Sequence, residues 1–270
     1  MITFPPAKIN LGLRVISKRN DGYHNIESVL YPVPLTDILE IVPSEEFNLT
    51  VSGDYSAGGD HWENTCVKAY NLLQQRYRLP PVHILLHKLI PVGAGLGGGS
   101  SDATSVLLML DEMFLLGMTI DELKGLAEKI GSDCPFFVQS KASLATGTGT
   151  ILEEYPVSLA GWHLLLIKPD FNISTREAYQ NIRPDSGSAG TIKDILKTPV
   201  KEWKDSLKND FEDSLFPLYP ALKTIKDSLY HQGAVYASMS GSGSTVYGLF
   251  ENRLIHFEFG EQGKYWWLSL

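Results

Sequence analysis

The chain has few of the features that would settle its class at once. Two cysteines in 270 residues, Cys66 and Cys134, are too few for a disulfide framework and too far apart in sequence for a zinc motif. A reducing compartment follows as the expectation, and with it a cytoplasmic protein. There is no basic excess either, since 23 Lys and Arg stand against 31 Asp and Glu for a formal net charge of −8. That balance disfavours a general nucleic-acid or anionic-membrane surface, both of which need a basic stripe. No apolar run approaches a membrane span. The opening residues MITFPPAKIN lack the basic start and apolar stretch of a secretion signal, so no leader is expected.

Two phosphate-binding classes are missing as well. A Walker loop needs Gly-Lys followed by Ser or Thr, whereas Gly263-Lys264 is followed by Tyr265. The protein-kinase elements His-Arg-Asp and Asp-Phe-Gly do not occur. What is present is an ordinary globular composition, 43% hydrophobic and 20% charged, enough for one large domain or two moderate ones.

Along the chain, short β-rich runs at 9–16, 37–42 and 82–87 alternate with turn chemistry at Asn20-Asp21-Gly22 and Gly58-Gly59. Apolar residues at 66, 69, 70, 72 and 73 predict a helix over Thr65 to Tyr77. A second helix is read from Ala103, Val106, Leu107, Leu110, Met113 and Phe114, with Ser100, Ser101 and Asp102 bonding free backbone donors in its first turn. Thr119 with Glu122 predicts a capping box on a third helix that ends near Gly131. Later come strands at 143–145 and 163–167, an exposed polar loop at 185–190, and a helix through Leu222, Ile225 and Leu229 ending at Gly233. Strands at 234–239 and 246–250 flank Ser240-Gly241-Ser242-Gly243-Ser244. Strands and helices fall in blocks, which predicts an α+β class.

The richest segment is Pro91, Val92, Gly93, Ala94, Gly95, Leu96, Gly97, Gly98, Gly99, Ser100 and Ser101. Its glycines remove the side chains that would keep an anion off the backbone, and the helix after it adds the positive end of its dipole. Read alone, the loop allows a flexible turn or a dinucleotide site, because Gly93, Gly95 and Gly98 satisfy G-x-G-x-x-G. The acidic residue about twenty positions on, at a strand end, is missing, since Asp111 and Glu112 fall inside the helical pattern.

The whole string resembles the ATP-binding motif of the GHMP kinase superfamily. Pro6-Ala7-Lys8-Ile9-Asn10-Leu11-Gly12-Leu13 and Ser240-Gly241-Ser242-Gly243-Ser244-Thr245 are similar to its other two motifs. Three further stretches resemble the branch that acts on a cytidine-diphosphate-linked methylerythritol in non-mevalonate isoprenoid synthesis. They are Arg19 to His24, Gly131 to Phe137 and Asn209 to Glu212. The resemblance implies a two-lobed α+β fold, with lobes at 1–155 and 156–270 and the active site between them. It also implies ATP as co-substrate, magnesium as its companion, and phosphoryl transfer to the 2-hydroxyl of that small molecule. A GHMP kinase for a mevalonate-like or homoserine-like alcohol, or a nucleotide-binding homologue without catalysis, stays open as an alternative, and monomer and homodimer are both open.

Roles follow from the same resemblance. Asp133 is expected as catalytic base, Lys8 as its cationic partner and Asn10 as the residue orienting the acceptor hydroxyl. A cytosine needs stacking and a polar edge reader; Tyr23 and His24 offer both, with Tyr179 implied on the other face or, on spacing alone, a core aromatic. Asn64 is implied at adenine and equally suits a helix N-cap. Lys88, just before the loop, is read as meeting nucleotide or as merely exposed. No residue is singled out as a magnesium ligand.

Overall fold

The computed structural model describes residues 1–55, 63–180, 182, 184, 190–255, 257 and 263–270. The Gly58-Gly59 turn and most of the polar loop (185–189) lie outside the described residues. In chain order the first half contains β1 (Ile2–Thr3), β2 (Pro6–Lys18), β3 (His24–Thr36), β4 (Ile38–Pro43), β5 (Asn48–Gly53), α1 (Thr65–Tyr77), β6 (Val82–Lys88), α2 (Gly98–Met113), α3 (Ile120–Glu128) and α4 (Cys134–Phe137). The second half contains β7 (Ser143–Thr146), β8 (Ile151–Glu154), β9 (His163–Lys168), α5 (Thr175–Gln180), α6 (Ile192–Ile195), α7 (Phe211–Leu215), α8 (Pro220–His231), β10 (Tyr236–Met239), β11 (Val246–Phe250) and β12 (Lys264–Ser269). No described helix is long and apolar enough to cross a membrane.

The chain divides into two compact units that interleave in sequence. The first comprises 1–8, 35–92 and 97–141; the second comprises 9–34, 93–96 and 142–270.

The first unit holds a four-stranded sheet in the order β1-β4-β6-β5. β4 pairs antiparallel with β6, and β5 pairs parallel with it. Two neighbouring parallel strands need a crossover, and α1 supplies it between β5 and β6. Leu39, Ile41, Ile84 and Leu86 of the sheet share one core with Val67 and Leu73 of α1 and Val106, Leu107 and Leu110 of α2. Each fully buried Val, Leu or Ile contributes about 1.5–3 kcal/mol relative to exposure, so this face is the main reason the short strands hold. α3 opens on the expected capping box, in which Thr119 accepts from the Glu122 amide and the Glu122 side chain reaches back to the Thr119 amide.

α2 begins earlier than its apolar spacing indicates. It starts at Gly98, after Gly97 takes a left-handed φ of 72°, and no described side chain caps it. Ser100, Ser101 and Asp102 therefore do not cap the helix. The glycines let the backbone enter the helix five residues before the first apolar position, Ala103, which carries those side chains past the capping point.

The second unit carries the sheets β2-β3-β7-β8, whose first two strands run on at one end into the first unit, and β10-β11-β9-β12. Leu165, Ile167, Ala237, Met239 and Val246 pack with Phe211, Leu222 and Leu229 in its core. β12 runs antiparallel to β9, with Trp266 opposite Leu166 and Trp267 opposite Leu165.

Candidate active site

Within the first unit, the end of the glycine loop, Lys8 and Asp133 converge. A Cβ built on Gly97 meets the Phe137 ring at 2.9 Å and the Lys8 Cγ at 3.1 Å, so the Lys8 stem lies directly against the start of α2. Lys8 is 3% exposed in β2. Its ammonium is 3.4 Å from Asp133 Oδ2, and the Asp133 side chain is 36% exposed. A half-open carboxylate beside a buried cation can reach a solvent-side ligand while its charge stays balanced. Asp133 sits at the N-cap position of α4 without using its side chain as a cap, and Pro135 follows inside the first turn. The carboxylate is thus not occupied by its own backbone.

Asn64 is the N-cap of α1, accepting from the Cys66 amide at 2.9 Å. Its neighbour Thr65 donates to the Gly99 carbonyl at 2.9 Å, which brings the N-terminus of α1 against the first turn of α2.

Lys88 is buried at 4% exposure and is not a surface lysine. Its ammonium pairs with the carboxylates of both Asp37 and Asp102. Asp37 also accepts from the amides of Leu89 and Ile90. Burial pulls the Lys88 ammonium down, but the two carboxylates outweigh it and raise it. Asp102 is raised to about 7, chiefly by burial and against the pull of Lys88. The sequence reading did not find this cluster. Its signal was a lysine at a buried position of the apolar strand Val82 to Lys88 and an aspartate between Thr36 and Ile38, which local patterning cannot pair across 51 residues.

In the second unit, the first half of the loop is gripped by the Ser240 to Thr245 turn. The Ser240 hydroxyl donates to the Gly95 carbonyl at 2.9 Å, and the Thr245 amide donates to the Ala94 carbonyl at 3.2 Å. A Cβ on Gly95 would stand 2.0 Å from the Ser240 oxygen, and its φ is +77°, so only glycine fits. The turn is the connection between the antiparallel strands β10 and β11, and it is fixed from below. Asn209 donates to the carbonyls of Met239 and Gly241 at 2.8 and 2.9 Å, and Glu212 accepts from the Met239 amide at 2.8 Å. The Asn-Asp-x-Glu stretch is therefore a scaffold for the turn.

Asn10, 3% exposed, donates to Ser28 at 2.8 Å, and its carbonyl accepts from the Tyr247 hydroxyl at 2.8 Å. Tyr23 is 67% exposed at the tip between β2 and β3. The tip is tied by Asp21, which accepts from the Tyr23 amide and pairs with the Arg19 guanidinium at 2.9 Å. That pairing holds the Asp21 carboxyl below its usual range. His24 stacks on Tyr179 with centroids 4.8 Å apart, and Tyr179 meets Phe211 edge-on. A base between His24 and Tyr179 needs roughly 7–8 Å, twice a carbon contact distance, so here each ring covers the face the other would offer. Burial, helped by Lys18, lowers His24, which leaves a neutral ring with one donor and one acceptor near neutral pH.

A loop of backbone donors, a buried lysine and a half-open carboxylate match the requirements of phosphoryl transfer. The family model "GHMP kinases N terminal domain" matches residues 64–141 and "GHMP kinases C terminal" matches residues 191–254, so the class is that of the GHMP kinases. A homoserine kinase from Cytophaga hutchinsonii shares the fold at TM-score 0.70 and 16% identity, covering 94% of this chain and 85% of that one. A 4-diphosphocytidyl-2-C-methyl-D-erythritol kinase from Bacteroides thetaiotaomicron is 53% identical over 255 residues, 93% of this chain and 92% of the relative. A solved 4-(cytidine 5'-diphospho)-2C-methyl-D-erythritol kinase superposes with a TM-score of 0.79 at 33% identity, covering 92% of this chain and 90% of that one. The chain belongs to the family of 4-diphosphocytidyl-2-C-methyl-D-erythritol kinases.

Proposed function

We propose that this chain transfers the γ-phosphoryl group of ATP to the 2-hydroxyl of 4-diphosphocytidyl-2-C-methyl-D-erythritol, giving the 2-phosphate and ADP. The observation that carries the reading is the Lys8–Asp133 pair at 3.4 Å, with the Lys8 stem against Gly97 at the start of α2. A base for the acceptor and the Gly97 end of the glycine loop thus lie together in one unit. Phosphoryl transfer demands little covalent chemistry from the protein, and positioning with charge stabilisation carries most of it. Asp133 accepts the hydroxyl proton, and Lys8 stabilises the oxygen as it becomes negative. Asn10, two positions on from Lys8 in the same strand, is oriented by Ser28 to hold that hydroxyl.

The backbone of 93–99, with Ser100 and Ser101, holds the triphosphate, and Asn64 lies toward the adenine. Lys88 acts on the nucleotide from behind the loop through its two aspartates. Tyr23, His24 and Tyr179 take the cytosine, with the His24–Tyr179 stack opening or offering an outer face to the base. Magnesium bound with the triphosphate would supply charge neutralisation during transfer.

A substrate panel tests the assignment. Purified protein with ATP and magnesium is offered the cytidylyl alcohol, mevalonate and homoserine, and the products are identified by mass spectrometry and phosphorus NMR. The reading predicts a monophosphate on the 2-hydroxyl of the first alone. Phosphorylation of mevalonate or homoserine with the cytidylyl alcohol untouched would leave only the superfamily standing.

A further inference from the structure

Behind the start of α2 lies a buried cluster of two carboxylates and one ammonium. Lys88 Nζ is 2.6 Å from Asp102 Oδ2 and also pairs with Asp37. The two carboxylates differ in their remaining partners. Asp37 has the amides of Leu89 and Ile90 in addition to Lys88. Asp102, 1% exposed, has an Oδ1 atom that is buried with no hydrogen-bond partner among the described residues. A buried oxygen of this kind is costly unless it carries a proton or finds a donor. The cluster therefore has one negative charge too many, and Asp102 is where a proton relieves it.

The charged and titratable neighbours are few. Cys66 on α1 interacts with Asp37, Lys88, Asp102 and Cys134, and both thiols stay neutral because burial raises them, Cys134 to about 11. Lys88 and Asp37 are the charged groups that act most strongly on Asp102. The ligand side is equally close. A Cβ on Gly98 would lie 3.3 Å from Lys88 Nζ, so the cluster touches the first residue of the helix. Asp102 follows Gly98 by four residues, about 6 Å along a helix axis. A phosphate on the first amides of α2 thus faces an ionised Asp102 across a low-dielectric gap.

We infer that Asp102 is a positioning residue of the nucleotide loop that takes a proton from solvent when a phosphate occupies the start of α2, so that nucleotide binding and protonation of Asp102 reinforce each other. The inference rests on the reading of this loop as the nucleotide site. Linkage makes the effect reciprocal, and unit charges about two helical turns apart at an effective dielectric near 20 couple by about tenfold. With Asp102 protonated at low pH the nucleotide binds more tightly; as pH rises and the carboxyl ionises, affinity falls.

The probe is a non-hydrolysable ATP analogue with excess magnesium, titrated calorimetrically into the wild type and Asp102→Asn from pH 6 to 8.5. The ratio of wild-type to variant Kd is expected to rise about tenfold across the range, because the amide cannot ionise. The wild type is expected to take up protons on binding, measured from heats in two buffers of different ionisation enthalpy, and to take up more than the variant. A flat ratio with equal proton uptake overturns the inference and leaves the nucleotide site intact. Absence of binding to the wild type overturns both. If Asp102→Asn fails to fold, wild-type proton uptake near pH 7.5 supports the inference and its absence overturns it.

Discussion

Replacing Lys88 by Met removes the one cation from between two buried carboxylates, whose side chains are 0% and 2% exposed, the lysine itself being 5% exposed. Taking one partner from a buried ion pair costs about 3–5 kcal/mol, because the remaining charge is left without compensation. Here two carboxylates lose the same partner, so the upper part of that range applies at high pH. Below pH 7 the loss is smaller, and the sign follows from linkage. Asp102 is already raised to about 7 in the wild type, so the folded protein binds a proton that the unfolded chain releases near its ordinary value. Without Lys88 the folded-state value rises further, and stability continues to fall with pH where the wild type has levelled off, by about 1.4 kcal/mol per pH unit per carboxylate. Thermal unfolding near pH 5.5 and near pH 8.5 measures this. At about 2–4 °C per kcal/mol for a chain of this size, Lys88→Met should lie roughly 10 °C or more below the wild type at the higher pH and clearly closer at the lower. Equal melting temperatures at both pH values would refute the stabilising role of Lys88 between Asp37 and Asp102. Unchanged Tm with lost ATP affinity would make Lys88 a direct nucleotide ligand.

The Gly95→Ala variant should lose at least tenfold in ATP affinity, because its Cβ would stand 2.0 Å from the Ser240 oxygen at a φ of +77°, and a left-handed residue adds about 1–2 kcal/mol of strain. Gly125→Ala, inside α3 with open space around it, should bind ATP normally and gain up to about 1 kcal/mol; equal behaviour of the two variants would refute the gripped loop. Cys66 and Cys134 are both buried, and burial raises both thiols, Cys134 to about 11. A thiol reagent near pH 8 should therefore label neither in the native protein and both after unfolding. Fast native labelling of either would contradict the packing around α1 and α4.

Local signals carried much of the fold. The Thr65 to Tyr77 helix, the Thr119 capping box and the strands near 82–87, 163–167 and 246–250 were legible because their apolar periods and caps are complete within a few residues. The start of α2 was not, since glycines carry no periodic signal and the helix enters through them. Strand β5 was not singled out either, although Leu49 and Val51 alternate with polar residues as in a half-buried strand; the structure pairs it parallel with β6. At the candidate site, the Lys8 and Asp133 positions came from motif resemblance, while their 3.4 Å approach is a tertiary fact. The Asp37–Lys88–Asp102 cluster was invisible for the same reason: each residue is unremarkable locally, and only the chain's return brings them together. The role of Asn209 and Glu212 as braces of the Ser240 turn likewise needed the structure.

The central claim is that Asp133, beside Lys8, takes the proton of the acceptor hydroxyl. The direct measurement is kcat for Asp133→Asn with ATP, magnesium and 4-diphosphocytidyl-2-C-methyl-D-erythritol, alongside the Kd for ATP. A positioned base contributes about 10²–10⁴-fold, so the account predicts a loss of that size with ATP binding retained. An unchanged kcat would contradict it.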